Sequence, residues 1–316
     1  MNFIEAQKIL VKILNNFGFF AFKVKNCGKA VGSEKFQVFY SIFINTLNQI
    51  IFIGTHIKFV LEVKNYLSDD NQATRLVTIL EGIAVEVSSL IIFFGVFWCR
   101  KSQKNFLTYL LEMEKRIESF DLENVNQSLM KRSKIEAVSQ ILLHVALVGM
   151  FTFLAPSDQF TLFVIESFNF ITFSLYLILI TQFVNNTVKT LGNLFDEVEK
   201  KIEFCVTFCP FHFGDKNLLN LLKIHENLTE SIEIFNESFG VIVFGVFVYI
   251  SGIISAELYY GFALIFGNSN AVLNFNLVIN ISGNIFTVFP ILFTFCNFGF
   301  TCEEVQEKVS KLRGEN

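Results

Sequence analysis

The run LYYGFALIFGNSNAVLNFNLVINISGNIFTVFPILFTFCNFGFTC, Leu258 to Cys302, contains 45 residues without one Asp, Glu, Lys, Arg or His. A helix needs about 20 mostly apolar residues to cross the hydrocarbon core of a bilayer. This run is therefore too long for one crossing and suits two. The Gly267-Asn268-Ser269-Asn270 cluster supplies the turn that divides it.

Working outward, the rest of the chain has the same character. Of 316 residues, 52% are apolar, 41 are Phe and only 17% are charged, against roughly a quarter charged in soluble domains. Six segments qualify as spans: Phe36–Val60, Leu76–Trp98, Ala137–Leu154, Thr161–Phe183, Ser238–Phe262 and Val272–Asn297. Pro156 and Asp158 mark the turn between the third and fourth. The fold class is all-α, a polytopic membrane helix bundle with six predicted spans.

Lys and Arg set the orientation. Six precede the first span, eight lie between the second and third, five between the fourth and fifth, and three follow the sixth, which is 22 of the 25. Lys58, Lys64 and Arg75 are the remainder. Retained positive charge marks the cytosolic face, so the N-terminus, both long loops and the C-terminal tail are read as cytosolic, opposite to the N-outside arrangement of G-protein-coupled receptors. The six Cys (Cys27, Cys99, Cys205, Cys209, Cys296 and Cys302) fall on or near that side, where thiols stay reduced, and imply no disulfide framework.

The chain then divides into a cytosolic segment, 1–35, a six-span domain, 36–298, with cytosolic loops at about 99–136 and 184–237, and a cytosolic tail, 299–316. In the first segment Ile4, Leu10, Ile13 and Leu14 share a helical face with Lys8 and Lys12 elsewhere. That pattern fits an amphipathic helix on the inner membrane surface or a helix packed in the cytosol. Leu191, Leu194, Phe195, Val198 and Ile202 keep helical spacing beyond the fourth span, as do Leu218, Leu221, Leu222, Leu228, Ile232 and Phe235 before the fifth. Both helices are expected to run on past the membrane.

No phosphate-cradling glycine loop, Gly-x-Ser-x-Gly elbow or His-Glu-x-x-His pair is present. No enzyme activity or cofactor is implied, and nothing points to nucleic acid. Cys205, Cys209 and His212 could supply three zinc ligands, but no fourth is evident, and packing cysteines are the simpler reading.

Polar residues within the spans are more informative, because an ionisable group in a bilayer is costly and normally faces a bundle interior or a watered cavity. Glu81 and Glu86 in the second span, His144 in the third, Glu166 and Asn169 in the fourth, Glu257 and Tyr259 in the fifth and Asn276 in the sixth lie in the outer half or near mid-depth. His56, Tyr260, Asn274 and Asn280 share that zone. Together they would line an outward-facing pocket of carboxylates, amides, an imidazole and phenols for a small polar or amphipathic ligand. The alternative is structural: Glu166, Glu257 and Asn274 near headgroups, Tyr259 and Tyr260 as interfacial belt residues, and the Asn side chains as interhelical glue. Glu81 and Glu86 lie deeper and favour the first reading.

Three stretches carry a resemblance. ILVKILNNFGFFAFKVK (Ile9–Lys25) leading into FQVFYSIF is similar to the short inner helix, Gly-centred break and first span of the insect gustatory receptors. ENLTESIEIFNESFGVIVFGVF (Glu226–Phe247) resembles that family's approach to its fifth span. CNFGFTCEEVQEKVSKLRGEN (Cys296–Asn316) resembles the inner end of the sixth span and the cytosolic helix after it. The resemblance implies a ligand-gated cation channel subunit of chemosensory neurons in the plasma membrane, assembled as a homo- or hetero-tetramer with receptor subunits and opened by a small-molecule tastant. It also implies a seventh, pore-lining span, for which no segment is found before Asn316, so the chain is expected to lack it. The family's final-span signature, Thr-Tyr, five apolar residues and Gln-Phe, has a partial match at Leu175-Tyr176 to Gln182-Phe183. That match lies in the fourth span with Leu for Thr, so no pore role is carried to it.

Two other classes compete. In a secondary transporter Glu81 and Glu86 would be ion or proton sites, but repeated spans with broken helices are not apparent. A non-conducting assembly partner of complete receptors would tune their trafficking and tolerate Glu81→Ala and Glu86→Ala without a change in ligand response. The orientation predicts that an N-terminal epitope tag is stained only after permeabilisation; staining of intact cells would reverse the topology.

Overall fold

The computed structural model describes residues 7–20, 22, 35–66, 72–117, 123–154, 160–208, 215–266 and 275–313. Every regular element among them is an α-helix: α1 Lys8–Asn16, α2 Lys35–Tyr66, α3 Gln72–Trp98, α4 Arg100–Ile117, α5 Glu123–Leu154, α6 Phe160–Phe208, α7 Asp215–Phe266 and α8 Phe275–Arg313. A bilayer offers no water to the backbone, so helices that satisfy their own N–H and C=O groups are the natural spanning element. Five of these helices carry windows long and apolar enough to cross a membrane: α2, α3, α5, α6 and α7. The described part of the sixth expected span, Val272–Asn297, lies in α8. The fourth and fifth spans do continue as unbroken helices, of 49 and 52 residues.

Side-chain contacts give the helix directions. Ala84, Ile92 and Gly95 of α3 face Gly252, Gly245 and Ile242 of α7 in turn, so α3 and α7 are antiparallel. The Gln182 Nε2 of α6 donates to Glu136 Oε2 of α5 at 2.8 Å, and Ile171 packs with Leu147, which makes α5 and α6 antiparallel. Gly192 and Asp196 of α6 meet Val305 and Lys308 of α8, so these two are parallel. Those directions agree with the alternation that six successive crossings require.

Helix α6 is the centre. In an 18-residue apolar stretch within its Ile171–Thr207 segment 83% of residues are buried, against 11% in the corresponding stretch of Lys35–Gly54 in α2. Its most extensive neighbours are α8 and α5, followed by α7. Burial on all sides demands that α6 satisfy its polar groups locally. Thr181, Thr187 and Thr190 each donate to the carbonyl four residues back, at 2.8, 2.8 and 2.9 Å, a bond open to hydroxyl side chains within a helix.

The α3–α7 pair forms the largest interface, and small residues set its spacing. A Cβ on Gly252 would overlap the Ala84 methyl, and one on Gly245 would meet Ile92 Cγ1 at 2.6 Å. Small residues that let backbones approach closely are a general device of membrane helix pairs. The pairing continues through α4, where Gln103 Nε2 donates to the Ser238 carbonyl at 3.3 Å and Tyr109 Oη to the Asn227 carbonyl at 3.0 Å. Between α3 and α4, Cys99 N–H donates to Gly95 O and Gln103 N–H to Cys99 O, so helical hydrogen bonding passes through the junction.

Of the two readings of the first segment, the structure favours packing. Leu10 and Leu14 are fully buried and Val11 nearly so, against α6 and α5; Ile4 lies outside the described residues. The helix ends in a Schellman motif. Gly18, at φ 75°, supplies the left-handed residue; Phe19 N–H donates to Leu14 O at 2.9 Å and Gly18 N–H to Asn15 O at 3.0 Å. The Gly18 carbonyl then accepts the Ser41 hydroxyl and, at 3.0 Å, Asn45 Nδ2 from α2. Phe19, Phe20 and Phe22 follow into the core, all buried. Phe20 packs edge-on against Phe183 of α6, with ring centroids 5.2 Å apart.

At the α1 end, Lys308 binds Asp196 and Glu304, each at 2.9 Å. Burial lowers the Lys308 pKa, but the hydrogen bonds to the two carboxylates outweigh it and raise it overall. A raised lysine pKa gives stability that is complete below the unfolded value near 10.5 and is lost as pH climbs through the folded value.

Gly18→Ala is expected to destabilise the fold by roughly 1–2 kcal/mol from the left-handed backbone alone, and further because its Cβ would meet Asn45 Nδ2 at 2.8 Å. Gly240→Ala, with nothing within 4 Å of the added carbon, is the matched control. Thermal unfolding of the solubilised protein should separate the two.

Candidate functional site

Two polar regions lie within the apolar bundle. The first is a layer built from α3, α6 and α7. The Tyr249 hydroxyl, on a fully buried ring, lies against the Ser174 side chain of α6 and within electrostatic reach of the Glu81 carboxylate of α3. Five residues along α3, Glu86 is half-buried; its Oε1 is buried without a hydrogen-bond partner among the described residues.

His144 of α5 is buried. Its Nδ1 is 2.7 Å from the Gln140 carbonyl, which can only accept, so Nδ1 carries the proton. Nε2 of the neutral ring is then an acceptor, buried and without a partner among the described residues. The α5–α6 register of Glu136 with Gln182 and Leu147 with Ile171 sets His144 at the level of Ser174. The α3–α7 register likewise sets Glu257 close to the level of Glu81, and both Glu257 carboxylate oxygens are buried.

The structure thus puts Glu81 within electrostatic reach of Tyr249 and Ser174 beside Tyr249, sets His144 at the level of Ser174, and sets Glu257 near the level of Glu81, about two helical turns from Tyr249 along α7. Tyr259 is half-exposed on α7. The side chains of Glu166, Asn169, Asn276 and His56 lie outside those described. Among the described residues no group of three His, Cys, Asp or Glu is placed to hold a metal. Cys205 is a buried free cysteine, while Cys209 and His212 lie outside the described residues.

Sequence reasoning passed over Ser174 and Tyr249. A signal was available, since interfacial tyrosines belong at span ends and Tyr249 stands in the interior of the Ser238–Phe262 span. With the hydroxyl of Tyr249 joined electrostatically to Ser174 and Glu81, Tyr249→Phe and Ser174→Ala should combine non-additively. A double-mutant cycle on thermal stability is expected to give a coupling of about 0.5–1.5 kcal/mol.

The second region is a crevice between α2, α3 and α6, of about 620 Å³ including its open mouth. Phe52 of α2, Phe93 of α3, Phe173 of α6 and Phe17 after α1 form its aromatic walls. Gln49, Ser89 and Tyr176 place polar groups among them, and Asn48 and Ile51 are exposed residues of the lining. Of the expected polar positions whose side chains are described, Glu81, Glu86, His144, Glu257 and Tyr259, none lines it. Glu86 comes nearest along the chain, one turn from Ser89, whose hydroxyl bonds its carbonyl at 3.0 Å.

A family model described as 7tm Chemosensory receptor matches residues 7–314, nearly the whole chain. No curated protein matches it.

Proposed function

This chain belongs to the 7tm chemosensory receptor family, and from that premise we propose that it is a gustatory receptor subunit that binds a small-molecule tastant among its helices. The observation that carries this reading is the half-buried Glu81 carboxylate within electrostatic reach of the buried Tyr249, which lies beside the buried Ser174, inside a multi-pass membrane bundle. Charged and hydroxyl groups at such a position cost free energy unless they are used or mutually satisfied. With His144 at the level of Ser174, Glu257 near that of Glu81 and Glu86 between those levels, the bundle offers a ligand carboxylates and an imidazole spread over about two helical turns. Glu166, Asn169, Tyr259 and Asn276 extend the proposed contacts toward the end of the bundle opposite α1.

In this reading the α1 end faces the cytosol of a plasma membrane, an orientation that the lysine and arginine distribution favours. The subunit acts within a homo- or hetero-tetramer as part of a ligand-gated cation channel. Ligand biases its closed-to-open equilibrium by binding the open state better, and it shifts that equilibrium only by its differential affinity.

Glu81→Ala and Glu86→Ala test the proposal. At unchanged surface expression, at least one is expected to move the half-maximal tastant concentration about tenfold in a calcium-flux assay of the chain expressed with complete receptor subunits. Unchanged dose–response curves for both variants would remove the layer from the ligand site and favour a non-conducting assembly role.

A further inference from the structure

We infer that the crevice between α2, α3 and α6 is a second, chemically different binding site, which takes a neutral ring-bearing molecule with one exposed acceptor oxygen, such as a ketone carbonyl. The argument begins with charge. Among the described residues that line the crevice there is no Asp, Glu, Lys, Arg or His, so these hold nothing to balance an ionic group in a low-dielectric surrounding. The carboxylates lie in the other region.

Hydrogen-bond capacity then sets the polarity of the ligand. Asn45 is occupied, with Nδ2 donating to Gly18 O at 3.0 Å and Ser41 O at 2.8 Å. The Ser89 hydroxyl reaches Gln49 Oε1 at 3.0 Å and Glu86 O at 3.0 Å. The Tyr176 hydroxyl is buried on a residue only 8% exposed and has no partner among the described residues. A buried hydroxyl without a partner is costly, and although its oxygen can also accept, its unpaired O–H proton is met only by an acceptor. The complement is an acceptor.

Shape sets the rest. Phe17 packs on the Tyr176 ring and Phe52 on Phe173, with centroids 5.7 and 5.6 Å apart, so each wall is a pair of rings in contact, against which a flat or compact apolar body can stack. Helix α2, which forms one wall, is the least buried of the candidate spans. Room can therefore be made on that side without disturbing the central helix.

Acetophenone, which has a ring and a carbonyl, and ethylbenzene, its near-isostere without the oxygen, separate the terms. Saturation-transfer NMR on the full chain in nanodiscs is expected to show acetophenone bound about fivefold more tightly than ethylbenzene, the usual weight of one hydrogen bond. Tyr176→Phe should make the two equal, with no loss of thermal stability because it removes an unpaired hydroxyl. Ile51→Trp, at the mouth, should weaken both. Equal binding of the two probes to the unsubstituted chain, or an unchanged ratio in Tyr176→Phe, would overturn the inference.

The acceptor oxygen could belong to a free molecule or to the acyl carbonyl of a membrane lipid. Nanodiscs of ester-linked and ether-linked phospholipids distinguish these. Equal acetophenone binding in both assigns the site to a free ligand, whereas weaker binding in the ester lipid assigns it to lipid. The readout is direct binding at residues outside the carboxylate layer. Glu81→Ala should leave it unchanged, and failure of either site leaves the other standing.

Discussion

The central constraint is that one helix, α6, is enclosed along most of its length. A helix in that position must resolve every polar group within the bundle. Its threonines bond their own backbone, Gln182 is answered by Glu136 and Asn186 Nδ2 by the Gln7 side chain at 3.1 Å. Each answer ties another element to α6. Helix α1 is placed by Gln7, Leu10 and Leu14, α5 by Glu136, and α8 by Asp196 and Gly192. Removing α6 would leave those elements without a shared partner.

Aromatic rings carry the same organisation across the bundle. Phe106 of α4 meets Phe235 and Phe239 of α7 at 5.6 and 5.8 Å. Phe239 meets Phe183 of α6 at 6.0 Å, and Phe183 meets Phe20 beyond the Gly18 turn. Individually such contacts are modest, but buried rings contribute large apolar areas and edge-on geometry favours them further. The phenylalanine-rich composition is therefore used in two ways. Some rings lock helices together, and others, such as Phe39, Phe94 and Phe293, remain exposed on the outside, where lipid is their natural surrounding.

Much of the fold was legible in the sequence because the bilayer imposes a length. Apolar runs near 20 residues and the charges between them marked α2, α3, α5, α6 and α7 and most of α8, and heptad-like spacing past Phe183 and before Ser238 announced the long continuations. The Gly18 break was visible as a motif, though its Schellman bonding was not. The site was less legible. Glu81 stood out as a carboxylate in an apolar run, whereas Ser174 and Tyr176 were hidden, because neither residue type is unusual in a membrane helix. What distinguishes them is the neighbour across the helix pair, which no single-helix pattern encodes. The assignment of α1 to the core followed the same rule. Its apolar face was evident, and the surface that covers it was not.

The two backbone hydrogen bonds at Cys99 carry α3 across a single turn residue into α4 and join them end to end as one strut. From Glu81 to Tyr109 it spans 28 residues, about 42 Å at 1.5 Å per residue, braced along α7 at Gly252, Gly245, Ser238 and Asn227. A rotation of about 5° at the Glu81 end would carry the far end some 4 Å sideways over that length. On a strut of that length a small change of angle at the Glu81 level becomes a displacement at the other end comparable with the width of a side chain.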